Sequence, residues 1–484
     1  MSLNRRITVY HTHIEVFPYE QGEVKSLEDS YSVFDPVFYK MTPIAYHVTN
    51  NTLYLPRGTN IPSLERLFRT TAIYSRNHDP VKAIKIKPTI EPKSKIQEEA
   101  VKFLCSDGRF TRGLEFSQLS LNLEPGDGKT IAAILAIASK YKCKTIVIVH
   151  QTKLKNQWKA EFLKASNISE DKIVDITGSD MMLKAIEGKR VKGDIYLVNH
   201  QTIHQFGNRY GWDMVSKFFE EIEVGVKIYD EAHKYFSNIM MIDFFSNTEK
   251  TFYLTATFTR NDYKEKMMFK RAFGNTYRFG EETSNYAEKR KHIIYYYVTF
   301  HSEPDPLLVG QMYNKYSISS YKYIDYALHQ DENNTLLKVL GIIMEQVENL
   351  AGKIIILSPT IESTEEVAEY IRYNFDKSVS VINSSRTREE NEEATKSDVI
   401  CSTIKSLGTG IDIRGLRVLI NMEPFTSEPN MIQLKGRLRE FSKTDDTFMF
   451  DLVDLGLKDI GVMGDKRKAV MKKHAKEIRN VKLS

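Results

Sequence analysis

Residues Leu114 to Lys140 read LEFSQLSLNLEPGDGKTIAAILAIASK. Leu114 to Leu123 is hydrophobic at every other position, the period of a strand, and Thr130 to Lys140 is rich in strong helix formers. Glu124-Pro125-Gly126-Asp127-Gly128-Lys129-Thr130 therefore falls at a strand-to-helix turn. Glycines there let successive backbone N–H groups curl round an anion, and the helix N-terminus adds a positive field. The spacing predicts Lys129 on the outer phosphates of a nucleotide and the Thr130 hydroxyl on Mg²⁺. A full GxxxxGKT loop would carry glycine where this chain has Leu123.

About a hundred residues downstream, the apolar run Val226 to Tyr229 ends in Asp230-Glu231-Ala232-His233. A carboxylate at a strand's C-terminal end is placed to hold Mg²⁺ against phosphates, and its neighbour Glu231 to polarise an attacking water. A helix N-cap would account for Asp230 alone. It would not account for the pairing of Asp230 and Glu231 with an upstream phosphate loop.

Around these two motifs, short apolar strands alternate with helical stretches from Ser94 to about Phe279: KTIVIV (144–149), DIYLV (194–198), VKIY (226–229) and TFYL (251–254). A second block of the same kind runs from about Asn334 to Leu455, with KIIIL at 353–357 and further strands near 379–382, 398–401 and 418–420. Such alternation predicts parallel sheets covered by helices. The expected fold is α/β, with two tandem lobes behind a small α+β accessory domain. The expected boundaries are an accessory domain over 1–86, a first lobe over 87–281, a connecting segment over 282–330, a second lobe over 331–456 and a basic, helical tail over 457–484. The run IIYYYVTF at 293–300 fits a strand inside that connecting segment.

Bulk properties narrow the class. An apolar fraction of 41% in 484 residues supports several buried cores, and a net charge of +5 argues only weakly for a polyanionic partner. Cys105, Cys143 and Cys401 are far apart with no CxxC or Cys/His spacing, which argues against a disulfide framework or zinc site and fits a reducing compartment. Met1 to Tyr10 has no apolar run of the signal-peptide kind, and no stretch approaches the roughly 20 apolar residues of a membrane span.

With both motifs in place, the chain resembles the superfamily 2 helicases from about Ser94 to Leu455, which implies two RecA-like lobes. Glu124 to Thr130 is similar to motif I, Asp230 to His233 to motif II, and Thr255-Ala256-Thr257 to the coupling motif III. Gln97 stands where the family keeps an adenine-sensing glutamine. In the second block, Ser402-Thr403 with Gly408-Thr409-Gly410-Ile411-Asp412 is similar to motif V. Gln433-Leu434-Lys435-Gly436-Arg437-Leu438-Arg439 is similar to motif VI.

The resemblance implies ATP and Mg²⁺ as cofactors. Nucleotide contacts would come from Gln97, Gly126, Asp127, Gly128, Lys129, Thr130, Gly410, Asp412 and Arg439. Lys129, Asp230, Glu231, Gln433 and Arg437 would carry the chemistry, with Thr130 and Asp230 on the metal. His233, Thr255 and Thr257 would couple nucleotide state to motion. Arg437 is the expected arginine finger; the family's second arginine falls on Glu440, one residue past Arg439.

Loops similar to motif Ia, to the next contact loop and to motif IV would hold a nucleic-acid backbone through Gln151, Thr152, His200, Thr202, Ser358 and Thr360, with Thr403 from motif V. Trp158 reads as core packing. The layout, a small N-terminal domain before two lobes, is similar to phage branch-migrating helicases of the UvsW type and to XPB/RecG-like motors. That implies a monomeric helicase or translocase on forked, branched or duplex DNA in recombination, repair or replication. It would work in the cytoplasm, or in a host's cytoplasm for a phage protein. Lys466-Arg467-Lys468 and Lys472-Lys473 would add phosphate contacts or form a solvated helix face. An RNA helicase or transcript-release motor is the alternative on the same scaffold, and a clamp without hydrolysis is a third reading.

Overall fold

A computed structural model describes residues 5–35, 39–106, 117–123, 126–188, 191–255, 263–273, 277–279, 291–314, 317–407, 413–439, 441–442 and 444–483. The chain divides into two compact units, Met1–Glu288 and Lys289–Ser484.

Two main sheets form the first unit, besides the antiparallel pair Ser32–Asp35 and Lys40–Pro43. The smaller has five strands in the order His47–Thr49, Thr52–Pro56, His13–Phe17, Arg6–Val9, Ala72–Tyr74, with only the last pairing parallel. The larger has seven, all parallel: Ile173–Ile176, Ile195–Asn199, Thr145–Val149, Val226–Tyr229, Lys250–Thr255, Gln118–Asn122 and Tyr277–Phe279. Its strands are apolar on both faces because helices cover both, so Val226–Tyr229 and Lys250–Thr255 are buried at every position.

The small sheet shares a hydrophobic core with one face of the large one. Tyr54 of the small sheet sits 5.2 Å from the Phe245 ring, which in turn lies 5.4 Å from Trp212. Each aromatic ring buried there contributes roughly 1.5–3 kcal/mol. Side chains also reach across. Gln118 Nε2 donates to Thr12 O at 3.1 Å, Ser117 Oγ to His11 O at 2.6 Å, and His11 N to Asn247 Oδ1 at 3.0 Å. Gly58 allows the closest approach, since a Cβ there would stand 1.7 Å from Ala272 O.

The second unit is built on a seven-stranded parallel sheet: Val379–Ile382, Val399–Ser402, Lys353–Leu357, Leu416–Asn421, Thr447–Asp454, Ile293–Phe300 and Glu477–Lys482. Two expectations change here. Ile293–Phe300 lies inside the sheet, pairing with Thr447–Asp454 on one side and Glu477–Lys482 on the other, so it is not merely part of a connector. Its unbroken apolar run suits a strand buried on both faces. The tail, expected to be helical, is a helix only over Lys458–His474 and ends as the edge strand Glu477–Lys482. Arg467, read as part of an exposed basic run, is 1% exposed. Its Nε donates to both Asp451 oxygens, at 3.0 and 2.9 Å. Tyr295 OH and Asn421 Nδ2 donate to the same carboxylate at 2.6 and 2.8 Å. A guanidinium that balances a buried carboxylate is not available to a phosphate.

Candidate nucleotide site and its neighbours

In the large sheet of the first unit, strand register brings Asn122, Val149, Asn199, Tyr229 and Thr255 to one carboxyl edge. This edge is where open α/β sheets hold ligands. Gly126 and Gly128 both have left-handed backbone, at φ 92° and 81°, and Gly128 caps the helix Lys129–Ala136. The turn therefore needs glycine at both positions. A Cβ on Gly128 would also stand 2.1 Å from Gln97 Nε2, which donates to Gly128 O at 3.3 Å. Gln97 is buried, and its Oε1 accepts from Lys93 N at 2.7 Å, so it braces the phosphate loop from the helix Lys95–Leu104.

Lys129 is 9% exposed and its Nζ donates to Leu123 O at 2.7 Å. Leu123 itself is a core residue, 1% exposed. The departure from glycine thus buries a side chain while the carbonyl still receives the lysine. Thr130 stands in the first turn of the helix, half-buried, with Asp127 half-buried in the loop.

Across the edge, Asp230 Oδ2 accepts from Trp158 Nε1 at 2.9 Å and Asp230 Oδ1 from the Glu231 N–H at 3.0 Å. Burial, reinforced by the adjacent Glu231 charge, pushes the Asp230 carboxyl up to about 6. For Glu231, burial works upward as well, but Lys129, His233 and Lys234 together outweigh it and hold the carboxyl below its ordinary value. The two neighbours are thus driven apart, which is the pattern of paired carboxylates with different tasks. His233 Nδ1 lies 2.9 Å from Thr255 Oγ1 and 3.2 Å from Glu231 Oε2, joining the acidic motif to the end of the next strand. Thr257 lies outside the described residues, as do Gly410 and Asp412.

The residues read as nucleic-acid contacts divide. Gln151 and Thr152 start the helix Thr152–Ala165, and His200 and Thr202 lie in the first turn of His200–Tyr210, on adjacent strand ends. In the second unit the hydroxyls are engaged locally. Ser358 is 1% exposed and donates to Ser363 Oγ at 2.6 Å, while Thr360 caps the helix Ile361–Asn374. Thr403 Oγ1 accepts from Ser406 N at 3.1 Å. Gln433 lies on the helix Glu428–Lys435, and Arg437 NH2 donates to Leu407 O at 2.5 Å, beside the motif V segment; Arg439 is exposed. Trp158 is the site residue that sequence reading missed, because its partner lies 72 positions away.

Two family models match in tandem. "Type III restriction enzyme, res subunit" spans residues 92–260 and "Helicase conserved C-terminal domain" residues 314–440, together more than half of the chain. The chain belongs to the superfamily 2 helicases, whose members bind nucleotides. Among its relatives is the DNA 3'-5' helicase Rad25 of Halobacterium salinarum, 30% identical over 141 residues, or 29% of this chain and 21% of that one. The chain spans about a fifth of the length of the archaeal Rad25 relatives it matches. Helicase 161L of Invertebrate iridescent virus 6 is 27% identical over 380 residues, 74% of this chain and 77% of that one.

Among solved structures, an HsdR-subunit fragment of a type I restriction enzyme from Vibrio vulnificus YJ016 shares the fold at a TM-score of 0.51. It is 16% identical over 80% of this chain and 68% of that one. T4 UvsW aligns over 99% of both chains at 16% identity with a TM-score of 0.35, too low to add weight. Among the described residues no helix is long and apolar enough to cross a membrane.

Proposed function

We propose that the chain is an ATP-driven DNA helicase or translocase acting on forked, branched or duplex DNA in recombination, repair or replication. The observation that carries this reading is the pairing, at one sheet edge, of a glycine-shaped phosphate loop bearing Lys129 with two carboxylates in opposed protonation tendencies. Gly126 to Thr130 take the phosphates, Gln97 braces the loop, and Glu231 is the general base that orients the attacking water. The hydroxyl of Thr130 and the carboxylate of Asp230 form a hard oxygen donor pair suited to Mg²⁺, which neutralises phosphate charge when bound. Arg437, from the second unit, stabilises charge on the transferring phosphoryl group, with Gln433 beside it and Gly410, Asp412 and Arg439 as further nucleotide contacts.

His233 and Thr255, with Thr257, relay nucleotide state, and Gln151, Thr152, His200 and Thr202 hold the strand. Thr360 and Thr403 act through the helix starts they cap, and Ser358 through Ser363. Residues 1–86 serve as a DNA-binding accessory domain ahead of the lobes, and the protein works as a cytoplasmic monomer. The DNA assignment is supported by the Rad25 relatives, which are described as DNA helicases.

The test is ATP turnover with forked DNA, linear duplex, single-stranded DNA or RNA added in turn. Stimulation by a forked or duplex DNA is expected. A preference for RNA would favour a transcript-directed motor, and turnover indifferent to every nucleic acid would overturn the motor reading.

A further inference from the structure

The segment that follows Asp230 is wound in an unusual way. Glu231 and Tyr235, four residues apart, both hold left-handed backbone, at φ 51° and 53°. Neither is glycine or asparagine, and L-residues with larger side chains adopt that region at a cost, so such outliers mark sites where the surroundings over-determine the conformation. One end of the segment carries the carboxylate beside the phosphate loop. The other end, Tyr235, is 47% exposed and stacks against the ends of two neighbouring strands. Its ring centroid is 4.4 Å from His200 and 6.4 Å from His150, tilted 31° to each.

Both imidazoles are neutral at physiological pH. Burial, with Lys234 nearby, takes His150 down to about 3, and burial takes His200 down to about 4. Each is also short of a partner. Lys234 Nζ lies 3.3 Å from His150 Nε2, which must accept, so the ring proton sits on Nδ1. With the Asn238 amide donating to His200 Nδ1 at 2.9 Å, that ring's proton sits on Nε2. His150 Nδ1 and His200 Nε2 are both buried and, among the described residues, have no hydrogen-bond partner. His200 is 3% exposed as a residue. The buried Oε1 of the next residue, Gln151, is likewise without a partner among the described residues. Buried polar atoms without partners are costly, which marks the cluster packed against the exposed Tyr235 ring as built for more than packing.

We propose that Tyr235 is a strand sensor: a nucleobase of the bound strand stacks on its exposed face, and the wound segment Asp230–Phe236 carries that occupancy to Glu231. The proposal rests on the nucleic-acid motor reading and adds a base-dependent contact to a surface otherwise read as gripping the backbone. Lys234 is the intermediate link, since it meets His150 directly and its charge acts on Glu231. Tyr235 is a positioning residue, because among the described residues its ring meets His200 and His150 and acts on Glu231 only through the segment between them.

The experiment compares wild type, Tyr235→Phe and Tyr235→Asn in ATP turnover. Each is assayed without nucleic acid, with a mixed-sequence single strand, and with an abasic strand of equal length. Asparagine tolerates left-handed backbone, so that variant removes the ring without adding strain. Turnover without nucleic acid and KM for ATP should be unchanged in both variants. Stimulation should survive in Tyr235→Phe, fall about tenfold in Tyr235→Asn, and be about tenfold weaker for wild type on the abasic strand. Tyr235→Asn should no longer distinguish the two strands. Full stimulation of Tyr235→Asn, or equal stimulation of wild type by both strands, would overturn the proposal. If forked or duplex DNA stimulates wild type but neither single strand does, the proposal falls and the motor reading stands; if no nucleic acid stimulates wild type, the motor reading itself fails.

Discussion

Trp158 Nε1 donates to Asp230 Oδ2 at 2.9 Å from a position that is 1% exposed, so the core of the first unit reaches directly into the candidate site. The donor favours the ionised carboxylate and thereby limits how far burial raises Asp230. Trp158→Phe keeps most of the packing volume and removes the donor. Asp230 should then rise further above about 6 and be less ionised at neutral pH. A hydrogen bond to a charged group is worth about 1.5–3 kcal/mol, so the ionised fraction at pH 7, and turnover with it, should fall about twofold to fifteenfold, with a higher half-saturating Mg²⁺ concentration. The deficit should shrink at pH 8.5, where the carboxylate ionises again. A pH-independent deficit would assign Trp158 to packing alone.

Glu231→Gln preserves size and removes the charge. Nucleotide affinity, read by fluorescence of a labelled ATP analogue, should be retained. Turnover should fall by about a hundredfold to ten-thousandfold, the usual contribution of a positioned general base. The low position of Glu231, set by Lys129, His233 and Lys234 against burial, also bears on pH. The base stays ionised through the ordinary carboxylate range, so turnover should not be lost to its protonation above about pH 5. Near-normal turnover in Glu231→Gln would remove it from this role.

How much of this was legible in sequence depended on distance along the chain. Gly126 to Thr130 and Asp230 to Glu231 declare themselves because a strand, a turn and a helix start are contiguous, and each motif sits at its own strand end. The site edge follows from the α/β alternation alone. Trp158 did not declare itself, since an indole on a helix has the same local pattern whether or not it reaches a carboxylate. Arg467 misled, because Lys466-Arg467-Lys468 looks like a solvated run until Thr447–Asp454 brings Asp451 beneath its middle residue. The local bonds of Ser358 and Thr360 were not legible either, since short hydroxyl side chains at strand ends serve helix starts as readily as phosphates. The final strand Glu477–Lys482 is recognisable only through its neighbour Ile293–Phe300, almost two hundred positions earlier.

Arg437 NH2 donates to the Leu407 carbonyl at 2.5 Å, a backbone contact that orients the guanidinium. Arg437→Ala should stop hydrolysis while leaving nucleotide affinity within a few fold, as expected of a group that acts on the transition state. Arg437→Lys should not restore turnover, because an ammonium lacks the planar fork. Loss of nucleotide binding in step with turnover would make Arg437 a ground-state contact instead.

Glu423 supplies a pH test of the second unit. It follows the strand Leu416–Asn421, and burial pushes its carboxyl up to about 7 although Lys405 and Arg467 pull the other way. The folded chain therefore holds this proton more tightly than the unfolded chain, whose glutamates titrate near about 4.3. The sign follows from linkage: stability is full below the unfolded value and is lost as pH rises through about 7. Glu423→Gln, which mimics the protonated side chain, should leave the thermal midpoint nearly unchanged at pH 4.5. At pH 8.5 it should stabilise by about 1–3 kcal/mol, since a tenfold difference in proton affinity between the folded and unfolded chain is worth about 1.4 kcal/mol. For a unit of this size each kcal/mol moves the midpoint by about 2–4 °C. Thermal unfolding of the full chain followed at both pH values reads the difference. An equal change in midpoint at both pH values would mean that the ionisation of Glu423 is not what destabilises the fold.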